Sequence, residues 1–145
     1  WGSVKMGEKI HSPNIAPGDA DILIAFEKLE SKRWKHMLKQ KDSIAIINEY
    51  EIAPTLVQQG DKEYPEDVLD NMKQKSEVIS LDATATGAKM GNPAIANILL
   101  LGIAARYMDI SVETWFKTFE QYLPAKFVEL NKKAFMYGYE QEYLK

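Results

Sequence analysis

Three short apolar runs punctuate the first half of the chain. Ile22, Leu23, Ile24, Ala25 and Phe26 form the first, bounded by Asp21 and Glu27; Ile44, Ala45, Ile46 and Ile47 form the second, ended by Asn48 and Glu49; Val78, Ile79 and Leu81 form the third, followed by Asp82. Each has the length of a strand and lacks the alternation of a half-solvated one, which predicts parallel strands covered on both faces. Helical spacing fills the intervals. Leu29, Arg33, Trp34, Met37 and Leu38 predict a helix from Leu29 to Lys39, and Val68, Leu69 and Met72 behind Pro65-Glu66-Asp67 predict another, reaching Lys75. Ser3 to Ile10 reads as a further short strand around Gly7, with turn chemistry at Ser12-Pro13 and Pro17-Gly18-Asp19, and Pro54 and Gly60 mark an irregular stretch. Strands alternating with helices indicate βαβ units, hence a three-layer α/β/α fold with a mostly parallel, Rossmann-like sheet.

From Pro93 the pattern turns helical. Ala94 to Met108 is apolar almost all round, with Asn97 and Arg106 as its strongly polar members, and so reads as the most buried helix. Ser111 is placed to cap the next helix, with Glu113 in its first turn and Trp115, Phe116 and Phe119 inward. Pro124 restarts the chain as a last amphipathic helix with Phe127, Leu130, Ala134 and Tyr137 on one face. Its aromatic end, Phe135, Tyr137, Tyr139 and Tyr143, reads as core cover, since aromatics at helical spacing pack inward; a docking surface is the other reading. The chain is expected to form one domain over 1–145, with an α/β part at 1–92 and a helical part at 93–145.

Composition narrows the chemistry. The 145 residues carry a net charge of −3 with no basic run, so the electrostatic footprint of a nucleic-acid binder is missing. No cysteine is present, which excludes disulfides, a thiolate nucleophile and cysteine-ligated iron–sulfur clusters from these residues. His11 and His36 have no second histidine at helical spacing, so no metal centre is expected. The longest apolar run, Ile98 to Ala105, is far shorter than the roughly 20 residues that span a bilayer, and no signal peptide opens the chain; a cytoplasmic protein without membrane contact is the expectation. None of the eight glycines group into a phosphate-cradling loop, and no serine stands in a nucleophile-elbow context.

In an open parallel sheet, ligands bind beyond the carboxyl ends of the strands, because loops and helix N-termini converge there. Glu27, Asn48, Glu49 and Asp82, with Thr84 and Thr86 just beyond, are expected to share that rim. They serve either as caps for the following helices or as ligand contacts. Asn97, a primary amide in an apolar helix, must find partners in a neighbouring loop or in a ligand, and Asn92-Pro93 is a helix start.

These residues also carry a family likeness. Met6-Gly7-Glu8-Lys9-Ile10 with Ser12-Pro13, then Ala20-Asp21-Ile22-Leu23-Ile24-Ala25-Phe26-Glu27, resemble the gamma-type component of 2-oxoacid:ferredoxin oxidoreductases. Ile46-Ile47-Asn48, Leu81-Asp82-Ala83-Thr84, the series Ala88, Gly91, Asn92, Asn97, Leu101, Gly102, and then Asn131, Ala134, Phe135 and Gly138 continue the likeness in order. Among the branches, the separate beta chain of indolepyruvate oxidoreductases is most similar. Two departures stand out: the strand and Gly-rich loop with which members begin, ahead of the position of Gly2, are missing from these residues, and the stretch between Val4 and Met6 is several residues shorter than the family's strand, with Lys5 where an arginine often stands. Trp1 in first place is compatible with a processed, trimmed or partly ordered version of a longer product, which would account for both departures.

The resemblance implies an accessory subunit of a complex that decarboxylates a 2-oxoacid on thiamine diphosphate, passes electrons through iron–sulfur clusters to ferredoxin and releases an acyl-coenzyme A. This component would hold no cofactor by itself, pack against the thiamine- and iron–sulfur-binding subunits, and help to enclose coenzyme A. Asn48, Asp82, Asn92 and Asn97 are the candidate cofactor-facing residues, and no catalytic residue is expected. A homodimer in isolation is compatible with this reading. The alternative is a free-standing Rossmann-like nucleotide-binding or regulatory module with its ligand on the Glu27, Asn48 and Asp82 rim.

Overall fold

A computed structural model of the chain describes residues 1–53 and 64–144. A three-stranded parallel sheet of order β1-β2-β3 is built from β1 (Ile22–Ala25), β2 (Ile44–Asn48) and β3 (Glu77–Leu81). All three apolar runs are therefore strands, in the expected neighbourhood. Ile24 pairs with Ile46 and Ile46 with Ile79 in register. Helices follow as α1 (Lys28–Trp34), α2 (Val68–Lys73), α3 (Ala83–Lys89), α4 (Ala96–Ala105), α5 (Val112–Tyr122) and α6 (Ala125–Tyr139). The irregular stretch expected around Pro54 and Gly60 lies outside the described residues.

β2 is the central strand and is buried throughout, with alternate side chains entering opposite layers as the pleat requires. Ile44 and Ile46 pack with Leu99, Leu100 and Ile103 of α4, while Ala45 and Ile47 pack with Leu38 and Met72. Each fully buried isoleucine in this position contributes about 1.5–3 kcal/mol. The unbroken apolar run of β2 is thus explained by a helix layer on either side.

α4 is apolar nearly all round because it is itself an inner layer. Leu99, Leu100 and Ile103 face the sheet; Ala105, with Ile98 and Leu101, meets Phe119 and Phe135 of the outer helices. The α4–α6 crossing is closed by two glycines. A Cβ on Gly102 would stand 2.1 Å from the Phe135 carbonyl oxygen, and one on Gly138 would stand 2.2 Å from that of Leu99, so only glycine lets the two backbones approach. Phe135 is the hub of the outer core, stacked on Tyr139 at 5.9 Å and met edge-on by Phe119 at 5.5 Å. Tyr137 and Tyr143 pack against the α4–sheet cluster, so the aromatic end of α6 is core cover.

Several details differ from expectation. Ser3 to Ile10 is exposed and irregular: no strand of the described residues lies beside it, and a strand without a neighbour has no ladder. The helix expected to reach Lys39 stops at Trp34 and tightens into a 3₁₀ turn over Lys35–Met37. Leu38 is extended, bridges Ala20 and is fully buried, so its burial takes the chain out of the helix. The Pro17-Gly18 turn forms as expected, with the Asp19 amide donating to Ala16 at 3.1 Å and Gly18 at φ +83°. The buried face of α6 is Val128, Asn131, Ala134, Phe135 and Gly138; Phe127 is exposed because the helix is rotated to bring Gly138 onto α4.

Candidate functional site

Asn48 ends the central strand and ties three segments together. Its buried Nδ2 donates to the Phe26 carbonyl at 3.1 Å and the Thr84 hydroxyl at 2.8 Å, and its Oδ1 accepts from the Ala83 amide at 3.0 Å. It thereby joins the ends of β1 and β2 to the first turn of α3. Asp82 stands beside it as the N-cap of α3, accepting from the Ala85 amide at 2.7 Å. Asn92 caps the 3₁₀ turn Pro93–Ile95 through the Ala94 amide at 2.9 Å.

Asn97 departs from expectation. The preceding 3₁₀ turn delays the start of α4 to Ala96, so Asn97 lies in the first helical turn, exposed, with Oδ1 accepting from the Ile98 amide at 2.8 Å. It is not an amide trapped in apolar surroundings. Its position is nevertheless at the expected end of the sheet. Tyr107, just past the end of α4, lines a cleft with Ile22, Ile44 and Glu77 at the amino ends of the strands, so α4 runs against the strands and begins near their carboxyl ends. Asn48 and Asp82 are brought into one network; Asn92 and Asn97 lie in and after the connection from α3 to α4, outside that network.

Glu27 was recognisable only as an acid after a strand. In the fold it is 8% exposed and serves as N-cap of α1, accepting from the Glu30 amide at 2.9 Å, the Ile52 amide at 3.3 Å and the Tyr64 hydroxyl at 2.6 Å. The Tyr64 oxygen in turn accepts from the Leu29 amide at 3.1 Å. Burial works against the Glu27 carboxylate, but the hydrogen bonds from Tyr64 and the amides outweigh it and hold the group below the usual carboxylate range. Burial, then the bond to Glu27 and the charges of Glu27 and Glu51, push the Tyr64 phenol up. No spacing rule could have found this pair, since 37 residues separate its members.

A depressed folded pKa means that ionised Glu27 stabilises the fold fully above the ordinary carboxylate range, and that this contribution is lost as pH falls through the folded value. Glu27→Gln is therefore expected to cost about 1–2 kcal/mol at neutral pH. In urea melts of the two proteins, the gap should narrow as pH falls below the ordinary carboxylate range; a gap independent of pH would contradict the ionised, bonded carboxylate.

The rim is acidic and partly apolar. Glu49, Glu51 and Asp82 are exposed, and Lys28 is paired with Glu51 at 2.7 Å. Phe26, expected inside a covered strand, instead follows β1 and is 59% exposed; Tyr50 and Ile52 beyond β2 are 45% and 58% exposed. The cleft at the amino ends, of about 690 Å³, is lined by Asp21, Asp42, Lys73 and Glu77 and includes none of the candidate residues; nor does one of about 350 Å³ along β3. Among the described residues no group of three or more His, Cys, Asp or Glu is placed to hold a metal, and no helix is long and apolar enough to cross a membrane.

The family model for pyruvate ferredoxin/flavodoxin oxidoreductase matches residues 1–141. The chain belongs to this family. A curated relative, indolepyruvate oxidoreductase subunit IorB of Archaeoglobus fulgidus, is 29% identical over 95% of this chain and 70% of its own length. The protein of the same name from Thermococcus kodakarensis is 28% identical over 93% of this chain and 69% of its own. Among solved structures, the gamma subunit of a keto/oxoacid ferredoxin oxidoreductase from Geobacter sulfurreducens superposes with a TM-score of 0.63 at 22% identity, covering 88% of this chain and 67% of that one. At that identity the likeness speaks for the fold, and it agrees with the α/β architecture described above. The resemblance read from the motifs, from the Asp82-Ala83 strand end to Gly138 of the closing helix, is borne out.

Proposed function

We propose that the chain is the accessory subunit of a 2-oxoacid:ferredoxin oxidoreductase that acts on an aryl or branched 2-oxoacid, indolepyruvate foremost. The family match across residues 1–141 carries this reading, and the names of the curated relatives support the substrate class. With no cysteine among its 145 residues, the chain cannot ligate an iron–sulfur cluster through thiolates, which puts the electron path on partner subunits. Thiamine diphosphate, the clusters and the ferredoxin contact belong to those subunits in this reading, and the complex is cytoplasmic. The chain acts as one unit over 1–145, the helical part at 93–145 bracing the α/β part at 1–92.

Among the described residues the rim is poorly suited to a polyphosphate: Glu49, Glu51 and Asp82 are exposed, Glu27 is held ionised, and the half-buried Lys28 is already paired with Glu51. Any contact with coenzyme A is accordingly placed on the neutral amides of Asn92 and Asn97, with Asn48 and Asp82 as the supports that hold α3 in place. Asn97→Ala is expected to leave folding stability within about 0.5 kcal/mol, as for an exposed position, so a loss of activity in the complex would report contact rather than unfolding.

The deciding experiment is reconstitution. The thiamine- and iron–sulfur-containing subunits, purified with and without this chain, are assayed for ferredoxin or viologen reduction with indolepyruvate, a branched 2-oxoacid and pyruvate. Turnover is expected only when the chain is present, with indolepyruvate preferred. Full activity without the chain, or dye reduction by the chain alone, would overturn the reading.

A further inference from the structure

β3 bounds the described sheet on one side, and its outer edge is open. The Glu77 amide donates to the Ser43 carbonyl and the Leu81 carbonyl accepts from the Glu49 amide, so residues 77, 79 and 81 turn their backbone groups toward β2. Backbone direction alternates along a strand, which leaves the amides and carbonyls of Val78 and Ser80 facing outward; no backbone bond reaches them there from the described residues. Free edges are ordinarily blunted by proline, lysine or a bulge. β3, Glu-Val-Ile-Ser-Leu, has none of these, and its register with β2 runs unbroken over all five residues. Beside residues 77–80 runs a groove of about 350 Å³, lined also by Tyr107, Tyr143 and Leu144. Ile52 and Tyr64, which bracket residues 54–63 in sequence, both bond to Glu27 beyond the opposite edge strand.

We propose that β3 pairs with β3 of a second copy across a two-fold axis through Ile79, joining two three-stranded sheets into one of six strands. An axis normal to the sheet makes the paired strands antiparallel, so Ile79 meets its own image and Val78 meets Ser80. The register suits the outward groups. Val78 and Ser80 become hydrogen-bonded pairs that exchange four backbone bonds in all, and Ile79 becomes the close, non-bonded pair between them. On the α4 face, where Ile79 packs in the same cluster as Tyr143, the two isoleucines join one apolar layer to the other. Charge permits this pairing and opposes its counterpart. Glu77, the one charged residue of β3, falls opposite Leu81 rather than its own image, and Lys75 and Asp82 stand at the two ends of the pairing with opposite charges. The same operation on β1, centred on Leu23, would set Asp19 of one copy opposite the ionised Glu27 of the other. The inference concerns the chain's own assembly and does not rest on the accessory-subunit reading. It points the two carboxyl rims in opposite directions, so the copies do not share a site.

The test is the mass of the full chain in solution, by sedimentation velocity between about 1 and 200 µM, since a small interface dissociates on dilution. The mass should climb from that of one copy toward that of two. S80P removes an outward amide that β2 does not use, so the fold should keep its melting temperature to within a few degrees. The dimer should weaken at least about tenfold, because two of its four edge bonds are lost. K75E should weaken it about threefold, an effect that fades with added salt. I79C gives a positive signature. The chain has no other cysteine, and the non-bonded pair on the axis brings the two Cα atoms to about 4.5 Å, within disulfide range, so mild oxidation should link two copies. G7C, on the exposed amino-terminal stretch, should link far more slowly. A chain that stays monomeric to about 200 µM overturns the proposal. A dimer that S80P leaves intact and that I79C does not link is joined through another surface and overturns it equally.

Discussion

Replacing Gly102 with alanine is expected to destabilise the chain by about 3 kcal/mol, although the same change on an exposed helix would gain about 1 kcal/mol. The added methyl would stand 2.1 Å from the Phe135 carbonyl oxygen, a backbone atom that moves only if α6 moves with it. Separating α4 from α6 would loosen Phe135 from Phe119 and Trp115, and Leu99 from the contact that Gly138 makes on the facing helix. For a chain of this size, the loss corresponds to a drop in melting temperature of roughly 6–12 °C. Gly138→Ala should behave similarly, and the double variant should lose less than the sum, because one separation relieves both clashes. Gly7→Ala, where nothing lies within 4 Å, is the control and should melt as wild type does. A wild-type melt for Gly102→Ala would show that the helices are not in backbone contact.

Asn48→Leu is expected to cost about 2–5 kcal/mol, because it leaves the buried Ala83 amide and the Phe26 carbonyl without partners while keeping the branched shape of the side chain. The loss should appear in urea denaturation of the isolated chain. Asn48→Asp keeps an acceptor for Ala83 but gives up both donors, so it should fall between wild type and leucine. If Asn48→Leu were as stable as wild type yet inactive in the complex, Asn48 would have to meet a ligand directly and its structural role would be secondary.

The amino-acid sequence by itself determined the three strands, their parallel sense and the burial of α4. Continuous apolar runs such as Ile44 to Ile47 leave no solvated face, and only a sheet with helix layers on both sides can accommodate them. Capping was equally legible at Asp82 and Ser111, because a cap bonds amides two or three residues away and so leaves a local trace. The ordered motifs carried the family, and the missing cysteines excluded thiolate-bound clusters from these residues. What depended on distant partners was decided only in the tertiary structure. Leu38 ends its helix by bridging Ala20, Glu27 meets Tyr64, and α6 rotates so that Gly138 faces Leu99; no neighbour in sequence reports any of these. Phe26 was read as interior because hydropathy cannot tell the last covered residue of a strand from the first exposed one beyond it. Asn97 was read as buried because one 3₁₀ turn, invisible to the apolar pattern, shifts where the helix begins.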